Sequence, residues 1–351
     1  MATLRIPDVV PSPAEDAETL MKSFKGLGTN EKSVISVLGH RNASQRKKIR
    51  ETYQQLYNRS LVDDIFSELS GDFKKAVVLW TYEPSERDAR LANEALKSKK
   101  KTITQLQVIV EIACASSPDH LVAVRQTYRG LFNCSLEEDI AANVPMPVQK
   151  VLIGLVRSYR YDKELVDPSI ANKESAILRE TIRTKHLDSD NFLLILSTRN
   201  VHQLRETFEC YKQNYGFSID QVTLLTSCLH NLLNSATCAF FSYFILSTFT
   251  VLLQDMKSCG KGLLESILKV VIWCIDSPEK HFAEVVRASI LGFGTDENAL
   301  TRAIVTRAEV DMMKVRGEYF IANKSNLDSA VIDDTSGDYM KFLMTLLGAK
   351  V

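Results

Sequence analysis

The sequence has no excess charge of either sign, because its 43 lysines and arginines equal its 43 aspartates and glutamates in number. A balanced protein lacks the sustained positive field that attracts nucleic acid or holds a chain permanently on an anionic membrane. We therefore expect no nucleic-acid partner. Any attraction to phosphate groups must be local, or must come from a bound ion.

Glycine and proline are also scarce, with 14 and 9 residues among 351, whereas 45% of the residues are apolar. This composition excludes collagen-like and disordered classes. The seven cysteines are odd in number and lack C-x-x-C spacing, which favours a reduced, cytoplasmic compartment. The start of the sequence has no apolar signal region. No phosphate-binding glycine loop, zinc spacing or catalytic triad is present, so we expect no enzyme.

A short motif, an arginine followed three residues later by an aromatic residue, recurs four times in amphipathic helical patterns. Its arginines are Arg50, Arg125, Arg205 and Arg316. Their separations are 75, 80 and 111 residues, so the last interval is about thirty residues too long. We predict a structural role for this arginine, bonded to helix-terminal carbonyls or to a nearby carboxylate.

A second repeated feature locates the extra residues. Ser60, Ser135 and Ser218 each precede a helical pattern, and the third pattern breaks after Gln221 and resumes at Asp255. Removing the 33 residues 222–254 restores the period. Strand-like alternation is not sustained anywhere, so we predict an all-α protein of four repeats. Their predicted bounds are 12–83, 84–160, 168–282 (interrupted by the insert 222–254) and 283–351.

Two glycine-rich turns predict metal sites. They are Lys25-Gly26-Leu27-Gly28-Thr29 and Leu291-Gly292-Phe293-Gly294-Thr295. Glu68 lies forty residues after Gly28, and Asp334 lies forty after Gly294. Calcium takes six to eight oxygen ligands, often carbonyls completed by a bidentate carboxylate, and glycines let a loop turn its carbonyls toward one point. Two copies at the same offset indicate two calcium sites.

These turns, with S-E-L-S-G-D-F and D-D-T-S-G-D-Y, resemble the type II calcium sites of annexins, and L-G-H-R-N-A resembles the plant branch of that family. The resemblance implies five helices per repeat and a curved disc with calcium loops on its convex face. It also implies calcium-dependent binding to acidic phospholipid membranes, with F-actin as a further partner. The implied ligands are the carbonyls of Phe24, Gly26 and Gly28 with Glu68, and the carbonyls of Ile290, Gly292 and Gly294 with Asp334.

The second and third repeats depart from this pattern. Residues 98–102 of repeat 2 read Ser-Lys-Lys-Lys-Thr in place of the glycine loop, and Asn143 replaces the acid. Residues 184–187 of repeat 3 read Thr-Lys-His-Leu, and Cys259 stands at the acid position. We expect neither repeat to bind calcium in this way. The lysines of repeat 2 either face lipid phosphate or form a solvated surface run.

The insert 222–254 is apolar and carries no charge apart from His230 when protonated. Its second half, Cys238–Leu253, would span about 24 Å as a helix, against roughly 30 Å of membrane hydrocarbon. Because the insert begins with Val and ends with Gln, whose codons fit splice boundaries, our preferred hypothesis is a translated intron. The alternative is a membrane-inserted or oligomeric ion-conducting protein.

Two further signals leave alternatives open. His40 lies where plant annexins have been proposed to carry peroxidase activity, although a structural histidine explains it as well. Cys114 and Cys274 occupy similar helix positions, and they are either a redox-sensitive pair or buried inert thiols.

Overall fold

The computed structural model describes residues 1–25, 28–216, 262–291 and 294–349. Every regular element within these ranges is a helix, which confirms the predicted all-α class. The described residues form two compact units. Unit 1 contains both ends of the chain, Met1–Arg87 and Glu279–Val351, and unit 2 is the continuous segment Asp88–Pro278.

Unit 1 combines the helices of repeats 1 and 4. Its helices are α1 (Pro13–Ser23), α2 (Glu31–Leu38), α3 (Ala43–Tyr57), α4 (Leu61–Glu68), α5 (Gly71–Thr81), α15 (Pro278–Ile290, whose first residue belongs to unit 2), α16 (Glu297–Arg307), α17 (Met312–Asn323), α18 (Leu327–Asp334) and α19 (Gly337–Leu346). Helix α5 packs against α16 and α19, so the two repeats share one core. Trp80 is fully buried there, donates to the Leu38 carbonyl at 2.7 Å and stacks under the Arg46 guanidinium. Arg46 also pairs with Glu309 of repeat 4 at 2.8 Å.

Unit 2 contains the helices of repeats 2 and 3. They are α6 (Pro84–Lys97, which begins in unit 1), α7 (Ile103–Cys114), α8 (Pro118–Phe132), α9 (Leu136–Asn143), α10 (Val148–Arg157), α11 (Pro168–Thr184), α12 (Asp190–Thr198), α13 (Val201–Tyr215) and α14 (Leu263–Asp276). Helices α7 and α14 pack together, and α11 packs against α13. Their apolar side chains form a continuous core that includes Leu106, Leu152, Phe192 and Ile267.

Short polar side chains begin many of these helices. The Ser12 hydroxyl oxygen accepts a hydrogen bond from the Glu15 amide, and the Glu15 carboxylate accepts one from the Ser12 amide. In the same way, the Ser60 hydroxyl accepts from the Asp63 amide, and the Ser135 hydroxyl accepts from the Glu138 amide. Each such bond satisfies an amide that the first helical turn leaves unpaired. The helix starts are therefore determined locally by the sequence.

The repeated arginine has the predicted structural role. Arg50 pairs with Glu86 at 3.2 Å, and Arg125 pairs with Glu137. Arg205 donates instead to the carbonyl oxygens at the end of α14, at 3.1 and 3.2 Å. Arg316 does both, because it reaches the Leu347 carbonyl and the Asp328 carboxylate. Carboxylates and helix-terminal carbonyls are thus interchangeable partners at this position.

The predicted insert, residues 222–254, lies outside the described residues, together with Ser218 and Cys259. The translated-intron and membrane-segment hypotheses for it therefore stay predictions. Among the helices that are described, none is long and apolar enough to cross a membrane.

Candidate functional site

The loop between α1 and α2 has a specific conformation. The amide of Asn30 donates to the Ser23 carbonyl at 2.9 Å, so the chain returns to the end of the helix that it left. Gly28 has φ = +97°, a region that residues with a side chain rarely adopt. Asn30 then begins α2 by accepting from the Ser33 amide at 3.1 Å. This loop thus depends on a glycine at position 28.

Helix α4 brings the predicted acid of repeat 1 to this loop. Glu68 is the last residue of α4, and its side chain is exposed. The hydroxyl of Thr29 donates to the Glu68 carbonyl at 3.0 Å, which fastens the loop to the end of the helix. One turn earlier, Asp64 accepts from the buried Tyr53 hydroxyl at 2.6 Å. Burial raises the pKa of Tyr53 well above its usual value, so the hydroxyl remains a donor.

Repeat 4 reproduces this geometry. The amide of Asp296 donates to the Ser289 carbonyl at 2.8 Å, and Gly294 has φ = +98°. Thr295 donates to the Asp334 carbonyl at 3.1 Å and also contacts the Asp334 carboxylate. Asp334 is the last residue of α18, as Glu68 is of α4. At their described residues, the two loops are therefore equivalent in glycine conformation and in attachment to the helix.

Six of the eight predicted calcium ligands lie in the described part of the chain. They are Phe24, Gly28, Glu68, Ile290, Gly294 and Asp334. Gly26 and Gly292 lie outside it. Within the described residues, no group of three or more histidines, cysteines or acids could hold a metal ion. A site with one carboxylate and several carbonyls does not need such a group, and this set of hard oxygen donors fits calcium.

An acidic cleft with a volume of about 360 Å³ adjoins both predicted sites in unit 1. Its acidic residues form pairs that lie 266 positions apart in the sequence: Glu31 with Glu297, Glu68 with Asp334, and Asp72 with Asp338. Only the second pair was predicted from the sequence. Clustered carboxylates raise the local concentration of cations. Lys75 and Lys341 pair with Asp72 and Asp338 at 3.1 and 2.9 Å, so the negative charge of this region comes mainly from the other two pairs of acids.

The counterpart loops of repeats 2 and 3 contact lysine side chains. In repeat 2, the ammonium of Lys101 donates to the Leu96 carbonyl at 2.5 Å and to the Ser98 carbonyl. Asn143, at the acid position, donates to the Asp139 carbonyl of its own helix at 2.8 Å. In repeat 3, Lys150 donates to the Asp188 carbonyl at 3.0 Å. Repeat 2 therefore lacks the carboxylate that completes the predicted calcium sites.

His40 has a structural contact. Its Nδ1 lies 2.8 Å from the Arg5 carbonyl oxygen, beside a cavity of about 680 Å³ that the buried Arg41–Asp16 ion pair also lines. Among the described residues around this cavity, His40 alone has an imidazole or thiol. Nothing in this arrangement favours a peroxidase, and that interpretation stays an untested hypothesis.

Cys114 and Cys274 are both buried. Burial raises the pKa of the Cys114 thiol to about 11, against the opposing effect of the nearby Arg160 guanidinium. The reactive thiolate is therefore scarce at neutral pH. This supports the interpretation of Cys114 as a buried inert thiol.

Comparison with known proteins identifies the family. The sequence model described as Annexin matches residues 15–80, 87–155, 173–229 and 281–346, which is most of the chain. This protein belongs to the annexin family. Annexins are known for calcium-dependent phospholipid binding. This annexin is 52% identical to Annexin D3 of Arabidopsis thaliana, over the full length of both chains. It is 43% identical to the annexin-like protein RJ4 of Fragaria ananassa, over 95% of each chain.

Solved annexin structures have the same fold. Annexin III superimposes with a TM-score of 0.83 at 27% identity, covering 100% of this annexin and 98% of that chain. A calcium-bound annexin (Sm)1 superimposes with a TM-score of 0.77 at 25% identity, covering 99% and 93%. These matches confirm the annexin fold with four repeats.

Proposed function

We propose that this annexin binds acidic phospholipid membranes when calcium is present, through one ion in repeat 1 and one in repeat 4. The observation that carries the proposal is the equivalence of the two loops. Gly28 and Gly294 have φ values of +97° and +98°, and Thr29 and Thr295 donate to the carbonyls of the two predicted acids. The recurrence of this glycine conformation together with this threonine contact, in repeats 1 and 4, supports a shared ligand.

The proposed ligands are those that the family resemblance implies: the carbonyls of Phe24, Gly26 and Gly28 with Glu68, and the carbonyls of Ile290, Gly292 and Gly294 with Asp334. Bound calcium would supply positive charge and an open coordination position for a phosphate oxygen. The protein's own contribution is to hold each loop against the helix that carries the acid. The carboxylates of the acidic cleft attract cations to both loops.

This arrangement predicts coupling between the two ligands. A phosphate oxygen that completes the coordination of the ion increases calcium affinity, and by linkage calcium increases lipid affinity by the same factor.

We propose that the protein is cytoplasmic and moves to membranes when calcium rises. The repeat bounds 12–83, 84–160, 168–282 (interrupted by 222–254) and 283–351 are proposed on the spacing of the repeated motifs. F-actin as a partner is proposed on the family resemblance alone.

Co-sedimentation with phosphatidylserine vesicles tests the proposal. The wild-type protein is expected to sediment in calcium and to be released by excess chelator. The double variant Glu68→Gln/Asp334→Asn removes one predicted ligand from each site and should lose most of the calcium-dependent binding.

The matched control is Glu51→Gln/Asp333→Asn, which makes the same change of charge at two exposed positions outside the ligand set. It should bind like the wild type. Equal calcium-dependent binding by both double variants would show that Glu68 and Asp334 are not ligands. Calcium titration by calorimetry, without lipid, should give the same ranking.

A further inference from the structure

The acids of the two proposed calcium sites differ in how their side chains are held. In repeat 4, the Thr295 hydroxyl contacts the Asp334 carboxylate as well as the Asp334 carbonyl oxygen, which lies at 3.1 Å. In repeat 1, the Thr29 hydroxyl contacts the carbonyl oxygen of Glu68 at 3.0 Å, and not its carboxylate. Each threonine directly follows the glycine of positive φ in its loop. The same residue type therefore orients the acidic side chain in repeat 4 but not in repeat 1.

The Glu68 carboxylate makes no hydrogen bond or ion pair with any residue that the structure describes. Its side chain is exposed, whereas Asp334 is half-buried. The Arg59 guanidinium, whose charge interacts with Glu68, donates its hydrogen bonds to the Asp64 carboxylate instead. A glutamate also has one more rotatable bond than an aspartate. The Glu68 carboxylate therefore samples several rotamers until an ion orders it.

Ordering a side chain lowers the affinity of the site that uses it. For one flexible side chain, this loss is roughly fivefold in the dissociation constant. A hydrogen bond that orients a metal-binding carboxylate in advance avoids the loss. A carboxylate has about four lone-pair sites, so the hydroxyl bond to Asp334 leaves positions for an ion. The contact with Thr295 therefore prepares Asp334 for binding without blocking it.

We propose that Thr295 is a positioning residue, whose hydroxyl holds the Asp334 carboxylate against the loop so that repeat 4 binds calcium before repeat 1. The inference rests on the proposed function, because it assumes that both loops bind calcium. As calcium rises, repeat 4 fills first and supplies one membrane contact, and repeat 1 adds the second contact at higher calcium. Attachment to the membrane is then expected in two steps.

Calorimetric titration with calcium, without lipid, tests the order of filling. Glu68→Gln leaves only the site of repeat 4, and Asp334→Asn leaves only that of repeat 1. The first variant should bind its single ion roughly fivefold more tightly than the second. Adding Thr295→Val to Glu68→Gln removes the contact with the carboxylate. Adding Thr29→Val to Asp334→Asn removes only a carbonyl contact, so its loss of affinity should be roughly fivefold smaller.

The matched control is Thr295→Ser, which keeps the hydroxyl and should bind calcium like the wild type. This rescue distinguishes the hydroxyl bond from the packing of the threonine methyl group. The inference is overturned if the two single-site variants bind calcium equally or in the reverse order, or if the two valine substitutions lose equal affinity. Wild-type protein that takes up no calcium would overturn the proposed function together with this inference. Two ions bound with equal affinity would overturn the inference alone.

Discussion

The loops of repeats 1 and 2 join corresponding helices, α1 to α2 and α6 to α7, but have opposite electrostatic surroundings. In repeat 1 the chain turns at Gly28 and lies beside Glu68 and the acidic cleft. In repeat 2 the glycines are replaced by lysines, and one of these, Lys101, bonds the loop carbonyls. The first loop is proposed to receive a cation, and the second already contacts one from the protein itself. A single helical frame therefore accommodates two solutions to the unpaired carbonyls at the end of a helix.

The largest expected effect comes from making repeat 1 resemble repeat 2. Glu68→Lys removes a predicted calcium ligand and places an ammonium group beside the ion. We expect calcium affinity at this site to fall by at least roughly 100-fold, about 3 kcal/mol. Calorimetric titration should show one calcium site in place of two. The control Glu51→Lys reverses an exposed charge outside the ligand set and should keep both sites. Two surviving sites in Glu68→Lys would contradict the assignment.

A smaller effect is expected from the backbone of the loop. Gly28→Ala meets no neighbouring atom within 4 Å, so its cost comes from the positive φ alone. That cost is about 1–2 kcal/mol, which should weaken calcium binding in repeat 1 roughly tenfold. Gly130→Ala is a suitable control, because Gly130 lies in helix α8 and also has open space around it. Unchanged calcium affinity in Gly28→Ala would show that the loop tolerates another conformation.

The smallest of these effects concerns the loop of repeat 2. Lys101→Met leaves the carbonyls of Leu96 and Ser98 without their ammonium partner, so the free energy of unfolding should fall by about 1–2 kcal/mol. Urea denaturation measures this change, and calcium should not restore the loss. Lys100→Met, at an exposed neighbour, should change stability by less than about 0.5 kcal/mol. Equal stability of both variants would show that the Lys101 contact is not stabilising.

The sequence predicted those features that depend on spacing along the chain. The four arginine motifs indicated the repeats, and the forty-residue offset paired each glycine turn with its acid. The structure brings Thr29 and Thr295 to those same acids, next to the predicted glycines. Local signals sufficed because each loop and its acid belong to one repeat.

Features that depend on packing between repeats, or on the path of one side chain, were not predicted. Glu31, Asp72, Glu297 and Asp338 line a common cleft only because unit 1 brings the first and last repeats together. Their shared 266-residue offset could have revealed the pairs, although not their proximity. Lys101 is likewise indistinguishable in the sequence from Lys99 and Lys100, yet it alone bonds the loop carbonyls.

Unit 1 is formed by two segments that lie far apart in the chain, and this affects how it folds during synthesis on the ribosome. Arg46 is made early, but its partner Glu309 emerges only after more than two hundred further residues. Unit 2 is continuous, so its contacts can form while the C-terminal repeat is still being made. The helices of repeat 1 also pack on one another, so only its contacts with repeat 4 must wait for that last segment. Closing so long a loop slows this step. The nascent chain therefore exposes the apolar face of repeat 1 longest, and chaperones would be needed most during that interval.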